Sequence, residues 1–246
     1  MIITGDCLDI MPTLPDKSID MILCDLPYGA TACKWDVIIP FEPLWKEYKR
    51  IIKDNGAIVL TASQPFTSAL VMSNPVMFKY ELIWDKNYGG APGTAKSRPM
   101  PSHESILVFG NGRTTYNPQM REGKPYTDIR SGERAKINGN EHKLGFKNNF
   151  TVINTGERYP LSVIKIQKYN QEGQHPTQKP VALFEYLIKT YTNEGDTVLD
   201  NCAGSGTTGV ACIRTNRNYI LIEKEQKYVD IIVERIDAEN RQFKMF

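Results

Sequence analysis

Between an apolar run ending in Val198-Leu199 and a helical period beginning at Thr208, the chain reads Asp200-Asn-Cys-Ala-Gly204-Ser-Gly206-Thr-Thr208. A strand that turns through glycines into a helix is compatible with few folds. The glycines let the backbone pass close to a ligand, and the helix N-terminus that follows presents free N–H groups to it. This spacing points to an α/β protein that holds a nucleotide-like cofactor at the carboxyl end of a parallel sheet. Glu223 ends the next apolar run, twenty-three residues after Asp200, where an acid can accept hydrogen bonds from both ribose hydroxyls of such a cofactor. Gly209 fits as the third glycine of the pyrophosphate-binding form, yet Ser205, Thr207 and Thr208 line the turn. A nicotinamide oxidoreductase is therefore the less favoured reading, and a tight turn without ligand is the bland one.

The rest of the chain alternates β-branched apolar runs with helical periods, the pattern of a mostly parallel sheet with helices on both faces. Ile19 to Cys24 reads as a buried strand. Leu44, Tyr48, Ile51 and Ile52 recur at helical spacing, Asn55-Gly56 reads as the stop of that helix, and Ala57 to Thr61 as the strand after it. Phe78 to Trp84 and Ser105 to Phe109 give two more strands. Pro180 opens a helix over Val181 to Tyr191; Thr197 to Asp200 is a strand, Thr208 to Thr215 a helix, Tyr219 to Ile222 a strand and Gln226 to Glu239 a helix. From Gly110 to Gln174 the periodicity fades. The 246 residues thus read as one Rossmann-like α/β domain in two halves, 1–110 and 175–246, with 111–174 inserted between them.

Charge marks the same insertion. The whole chain carries a net charge of +2, but residues 112–172 contain eleven Lys and Arg against six acids. Tyr116, Tyr126, Phe146, Phe150, Tyr159 and Tyr169 are interleaved with them, the footprint of a nucleic-acid-contacting surface or, more plainly, of a solvated face. No run approaches the roughly 18 apolar residues of a membrane span, and Met-Ile-Ile-Thr-Gly-Asp is no signal peptide, so a cytoplasmic protein is expected. The five cysteines are never spaced Cys-x-x-Cys, and His103 and His142 have no ligand spacing, so neither disulfides nor a metal is expected.

Asp25-Leu26-Pro27-Tyr28-Gly29 follows the strand Ile19 to Cys24 directly, at the sheet edge where open α/β folds keep their chemistry. An acid, a rigid turn and an aromatic ring suit an exocyclic amino group on a flat base. The nitrogen lone pair of that group is delocalised into the ring and must be freed before it can attack. The Asp25 carboxylate and the Leu26 carbonyl can accept the two amino hydrogens while Tyr28 stacks on the ring and Pro27 keeps the two in register. A plain Asp turn capped by an aromatic is the alternative.

Together with His175-Pro-Thr-Gln-Lys-Pro180 and the glycine turn, this motif resembles the S-adenosylmethionine-dependent DNA amino-methyltransferases, in the class where the catalytic motif precedes the cofactor motif. The resemblance covers nearly the whole chain apart from the insertion, which occupies the slot of the family's target-recognition region. It implies catalysis by Asp25, Leu26, Pro27 and Tyr28. It also implies S-adenosylmethionine held by Asp6 and Cys7 of a short N-terminal motif, by His175, Thr177 and Lys179, by Asp200, Cys202, Gly204, Ser205, Gly206 and Thr207, and by Glu223. The partner it implies is duplex DNA; the family often forms homodimers, and neither oligomeric state nor a paired restriction endonuclease is legible here. Its aspartate form favours the N6 amino group of adenine over the N4 amino group of cytosine. A DNA-binding regulator with a vestigial pocket is the reading from another class.

Two positions depart from the family pattern. Leu26 stands where the family usually has Pro, and because only its carbonyl is needed, activity is expected to survive. Asn201-Cys202 stands where Pro-Phe is usual, which removes an aromatic wall and is expected to weaken cofactor binding.

Overall fold

In Ile19–Cys24 every residue except Asp20 is buried, and a strand that is apolar on both faces belongs in the middle of a sheet. The computed structural model describes residues 1–31, 33, 36–90, 92–130, 135–137, 140–142, 150–167 and 178–243. Its first half runs β1 (Ile2–Thr4), α1 (Cys7–Ile10), β2 (Ile19–Cys24), α2 (Phe41–Ile51), β3 (Ile52–Ala62), α3 (Phe66–Ser73), β4 (Phe78–Asp85) and β5 (His103–Phe109). Short strands follow: β6 (Arg121–Glu122), β7 (Tyr126–Arg130), β8 (Ala135–Ile137), β9 (Asn140–His142), β10 (Phe150–Asn154), β11 (Glu157–Arg158) and β12 (Val163–Lys165). The chain then gives α4 (Val181–Tyr191), β13 (Thr197–Asp200), α5 (Thr207–Arg214), β14 (Asn218–Glu223) and α6 (Gln226–Phe243).

Eight strands form one sheet in the order β1-β14-β13-β2-β3-β5-β4-β12. β5 pairs antiparallel with β3 and β4; every other pair in this sheet is parallel. Alternate residues of β2 enter two cores. Ile22 and Cys24 meet Leu44, Tyr48 and Ile51 of α2 on one face, and Met21 and Leu23 meet Leu183, Leu187 and Ile188 of α4 on the other. The buried residues of α2 follow one stripe of a 3.6-residue period, which is why that helix packs by a single face. The mostly parallel sheet with helices on both faces matches the expectation from periodicity.

One reading is corrected. The helix α2 stops at Ile51, and Asn55-Gly56 lies inside β3 rather than closing the helix. Between the pairs Ile19↔Ile52 and Met21↔Ala57 the register shifts, so Lys53, Asp54, Asn55 and Gly56 of β3 stand opposite Asp20 alone, as a bulge. A Cβ at Gly56 would come within 2.9 Å of the Asp20 carbonyl oxygen, so this glycine serves close strand approach rather than a helix cap. Trp45 and Trp84 are core residues; Trp35 lies outside the described residues.

Residues 118–161 form a compact unit of their own. Within it β6 pairs with β11, β7 with β10 and β8 with β9, all antiparallel.

Candidate active site

Because β2 ends at Cys24, the chain leaves the carboxyl edge of the sheet at Asp25. Leu26 packs into the core at 3% exposure and pins the turn. The carboxylate of Asp25 is held at both oxygens. Tyr28 donates its hydroxyl to Oδ1 at 2.7 Å, the Thr61 hydroxyl near the end of β3 donates to the same oxygen, and the Lys179 ammonium lies 2.7 Å from Oδ2. The Tyr28 ring stacks on Phe66, with centroids 5.2 Å apart. Burial pushes the Tyr28 phenol well above its ordinary pKa, which keeps it a neutral donor. Burial alone would lower the ammonium of Lys179, but Asp25 and Glu104 beside it hold its pKa above the ordinary value.

Beyond the turn, the chain is gathered by Asp36. Its carboxylate accepts the N–H groups of Gly29, Ala30 and Thr31 at 2.7 to 2.9 Å, and these bonds keep it ionised although burial opposes them. The loop so closed places Val37 and Ile38, both largely exposed, along the rim of the cavity.

At the other motif Gly204 and Gly206 adopt φ of +53° and +78°, and a Cβ at Gly206 would also press on Ile232 at 3.1 Å. Gly204 donates its N–H to Glu223 Oε2 at 2.8 Å, and Glu225 donates to Oε1 at 2.9 Å. Burial raises the Glu223 carboxyl, while those two N–H groups pull against it. Arg235 of α6 donates to the Ser205 carbonyl, and the Ser205 hydroxyl donates to Gln178 at 3.2 Å. Asp6 caps α1 by accepting the Leu8 N–H at 3.0 Å and pairs with Lys224 at 3.0 Å; the N–H bond first and the cation second lower its pKa. Cys7 and Cys202 stand in the wall between the two motifs, and Thr207 opens α5.

Asp200 itself points inward. It is 3% exposed and accepts from the Cys202 N–H and the Thr208 hydroxyl, and burial raises its pKa from 3.8 to about 6. A raised carboxyl pKa means that the folded state binds the proton more tightly than the unfolded chain. The resulting gain in stability is fully present below about 3.8 and is lost as pH rises through about 6. At neutral pH the ionised group costs on the order of 3 kcal/mol. Asp200→Asn is therefore expected to be about 1–2 kcal/mol more stable than the wild type at pH 8, less than the full cost because Thr208 loses an acceptor. At pH 4 the advantage should vanish. Paired thermal melts across that range check it, and a difference that does not move with pH would refute the assignment.

One cavity of about 640 Å³ joins the two motifs. It is lined by Asp25 and Tyr28, which follow β2, and by Asp6, Gly204 and Glu223, at the carboxyl ends of β1, β13 and β14; β13 separates β2 from β14, so Asp25 and Glu223 stand at its two ends. A carboxylate beside glycines of positive φ, opposite a second acid, suits a ribose-bearing cofactor. His175 and Thr177 lie outside the described residues. Sequence reading missed Thr61, Glu104, Asp36 and Arg235. Glu104 left a faint signal, an acid at the head of an apolar strand; Arg235 left another, a cation between Ile232 and Ile236 on the apolar side of α6.

The family model described as DNA methylase, covering N6 and N4 methyltransferases, matches residues 19–234. The chain is 28% identical to the type II methyltransferase M.HinfI of Haemophilus influenzae, over 96% of its own length and 67% of that protein. It is likewise 28% identical to the type II methyltransferase M.HpaI of Haemophilus parainfluenzae, over 98% of this chain and 76% of that one. Among solved structures, the M1.HpyAVI–SAM complex has the same fold with a TM-score of 0.64 at 24% identity, covering 96% of this chain and 98% of that one. The cytosine-N4-specific PvuII DNA methyltransferase matches with a TM-score of 0.65 at 17% identity, over 98% of this chain and 91% of its own. A family match that begins at the first residue of β2 and ends within α6 spans both motifs, and it makes this chain a member of the S-adenosylmethionine-dependent DNA amino-methyltransferases.

Proposed function

We propose that the chain transfers a methyl group from S-adenosylmethionine to the N6 amino nitrogen of adenine within a short site in duplex DNA. The observation that carries this reading is the single cavity shared by Asp25 at one end and Glu223 at the other. S-adenosylmethionine supplies an electrophilic methyl group on a sulfonium. Glu223 is proposed to accept the ribose hydroxyls and Asp6 to meet the adenine of the cofactor. The backbone of Gly204 to Thr207, with His175 and Thr177, completes the holding set, while the Lys179 ammonium is taken up by Asp25. At the other end Asp25 and the Leu26 carbonyl accept the hydrogens of the target amino group, which localises the nitrogen lone pair. As the carbon–nitrogen bond forms, the methyl–sulfur bond would break and the cofactor would leave as the neutral thioether S-adenosylhomocysteine, and the proton that the nitrogen sheds would pass to the Asp25 carboxylate. No covalent enzyme intermediate is required.

A target amino group inside a duplex is out of reach of this recessed carboxylate, so the base is flipped at a cost of a few kcal/mol. Pro27 and Tyr28 would form part of the wall that receives it. The basic insertion with its interleaved aromatics supports duplex DNA as the partner. The aspartate form of the catalytic motif supports adenine. Likeness to a cytosine-N4-specific fold keeps cytosine as the second reading.

Long-read methylation sequencing of DNA from a methylation-free host that expresses this chain tests the proposal directly. The expected result is one short motif carrying N6-methyladenine, with mass analysis of digested DNA separating it from N4-methylcytosine. N4-methylcytosine would move the base assignment. An unmodified genome, together with no heat on titration with S-adenosylmethionine, would leave the DNA-binding regulator.

A further inference from the structure

Four charges of alternating sign lead from the end of β4 to Asp25. Lys86, just after β4, lies 3.2 Å from Glu104 Oε1; Glu104, near the start of β5, lies 3.3 Å from Lys179 through Oε2; and Lys179 lies 2.7 Å from Asp25 Oδ2. All are mostly buried, with side-chain exposures of 8% for Lys179, 12% for Lys86, 17% for Glu104 and 25% for Asp25. The β-sheet register fixes the arrangement, because Glu104 pairs with Trp84 across β4 and β5 and so faces the residues that end β4. Glu104 lies outside both motifs and holds no bond to the glycine turn.

Buried charges persist only when paired, because isolated ones lose several kcal/mol of hydration. The Lys179 ammonium is therefore stable here only between two carboxylates. Without Glu104, Lys179 and Lys86 would lose the anion that stands between them, and the Lys179 ammonium would keep only one of its two anchors, so that its direction against Oδ2 of Asp25 would no longer be fixed. We propose that Glu104 is a positioning residue for methyl transfer, holding Lys179 against Oδ2 of Asp25 so that the plane of the Asp25 carboxylate stays fixed toward the target amino group. This rests on the assignment of Asp25 as the acceptor of that group. Glu104 lines the same cavity but acts through Lys179. Lys86 in turn completes the neutral set of two cations and two anions.

The test uses steady-state methylation of duplex DNA by the full chain, with cofactor affinity measured separately by calorimetry. Wild-type methylation comes first, since its absence defeats the functional reading and not this one. Given an active wild type, Glu104→Gln is expected to lower kcat about 10- to 100-fold while the Kd for S-adenosylmethionine and the KM for DNA change less than about threefold. Glu104→Asp, which keeps the charge but draws it back from Lys179 by one methylene, should recover part of the loss and stay at least about threefold below wild type. The double variant Lys86→Gln/Glu104→Gln, which removes one charge of each sign, should run severalfold faster than Glu104→Gln alone, a recovery that a packing role cannot produce. If Glu104→Gln does not fold, Glu104→Asp is read against the wild type, and kcat lowered at least threefold with cofactor Kd unchanged supports the proposal. A kcat within twofold of wild type in whichever single variant is read overturns it. So does a kcat loss matched by an equal loss of cofactor affinity, or the lack of any recovery in the double variant.

Discussion

Replacing Asp25 with alanine is expected to leave a protein that still binds S-adenosylmethionine but methylates DNA at least about 10³-fold more slowly. A positioned acid or base contributes about 10²- to 10⁴-fold to proton transfer, and here the same group also localises the attacking lone pair. Cofactor affinity should hold because Glu223, Gly204 and Asp6 lie at the opposite end of the cavity from Asp25. Asp25→Asn is the sharper variant. It preserves the shape of the side chain, but the amide cannot neutralise Lys179 and turns one acceptor into a donor. It should be nearly as inactive as the alanine variant. Asp25→Ala should also melt earlier, since it leaves the Lys179 ammonium buried beside Glu104 alone. Thr61→Val and Tyr28→Phe each remove one hydroxyl from Oδ1 and should lose far less. A burst assay of methyl transfer beside calorimetric titration of the cofactor separates the two effects, and an Asp25→Asn enzyme that keeps a tenth of wild-type turnover would remove Asp25 from its role.

What the sequence revealed and what it concealed divide along the range of the interactions. Asp25 was legible because it follows five buried residues of a central strand, and Gly206 because a strand must turn within a few residues to enter α5. Both signals are local. Asn55-Gly56 misled for the same reason, since a local helix stop and a bulge demanded by the neighbouring strand look alike until the register with β2 is known. The partners of Asp25 are distant in the chain: Thr61 lies 36 residues away and Lys179 lies 154. Glu104 meets Lys86 because β5 runs antiparallel to β4, and it meets Lys179 across 75 residues of chain, and nothing in the spacing of these residues announces that geometry. The resemblance assigned Lys179 to the cofactor, and its nearest carboxylate proves to be that of Asp25. Asp36 shows the same limit on a smaller scale, because its role is to close a loop whose backbone donors lack any pattern of their own.

At the other end of the cavity, Glu223→Ala is expected to weaken S-adenosylmethionine binding about 10²-fold without loosening the cofactor-free protein. Hydrogen bonds to a charged group contribute roughly 1.5–3 kcal/mol each, so the loss of two ribose hydroxyl contacts to a carboxylate accounts for about 3 kcal/mol, or two decades in Kd. The protein without cofactor behaves differently because burial already raises the Glu223 carboxyl, which marks its ionised form as costly to fold around. The Gly204 and Glu225 N–H groups lose an acceptor, but they gain water in a cavity open to solvent. Stability and affinity should therefore move apart. Glu223→Gln should bind about tenfold more weakly than wild type and melt no earlier. The pH dependence carries the same sign. As pH falls, protonation turns one acceptor oxygen into a donor, and because the pKa of Glu223 is raised, affinity should begin to fall at a higher pH than an exposed glutamate would set. In Glu223→Gln that limb should disappear and leave a lower, flatter profile. Calorimetric titrations of wild type and Glu223→Gln from pH 8 downward would show it, and parallel pH profiles for the two proteins would mean that another group, Asp6 or Asp200, carries the cofactor's acid dependence.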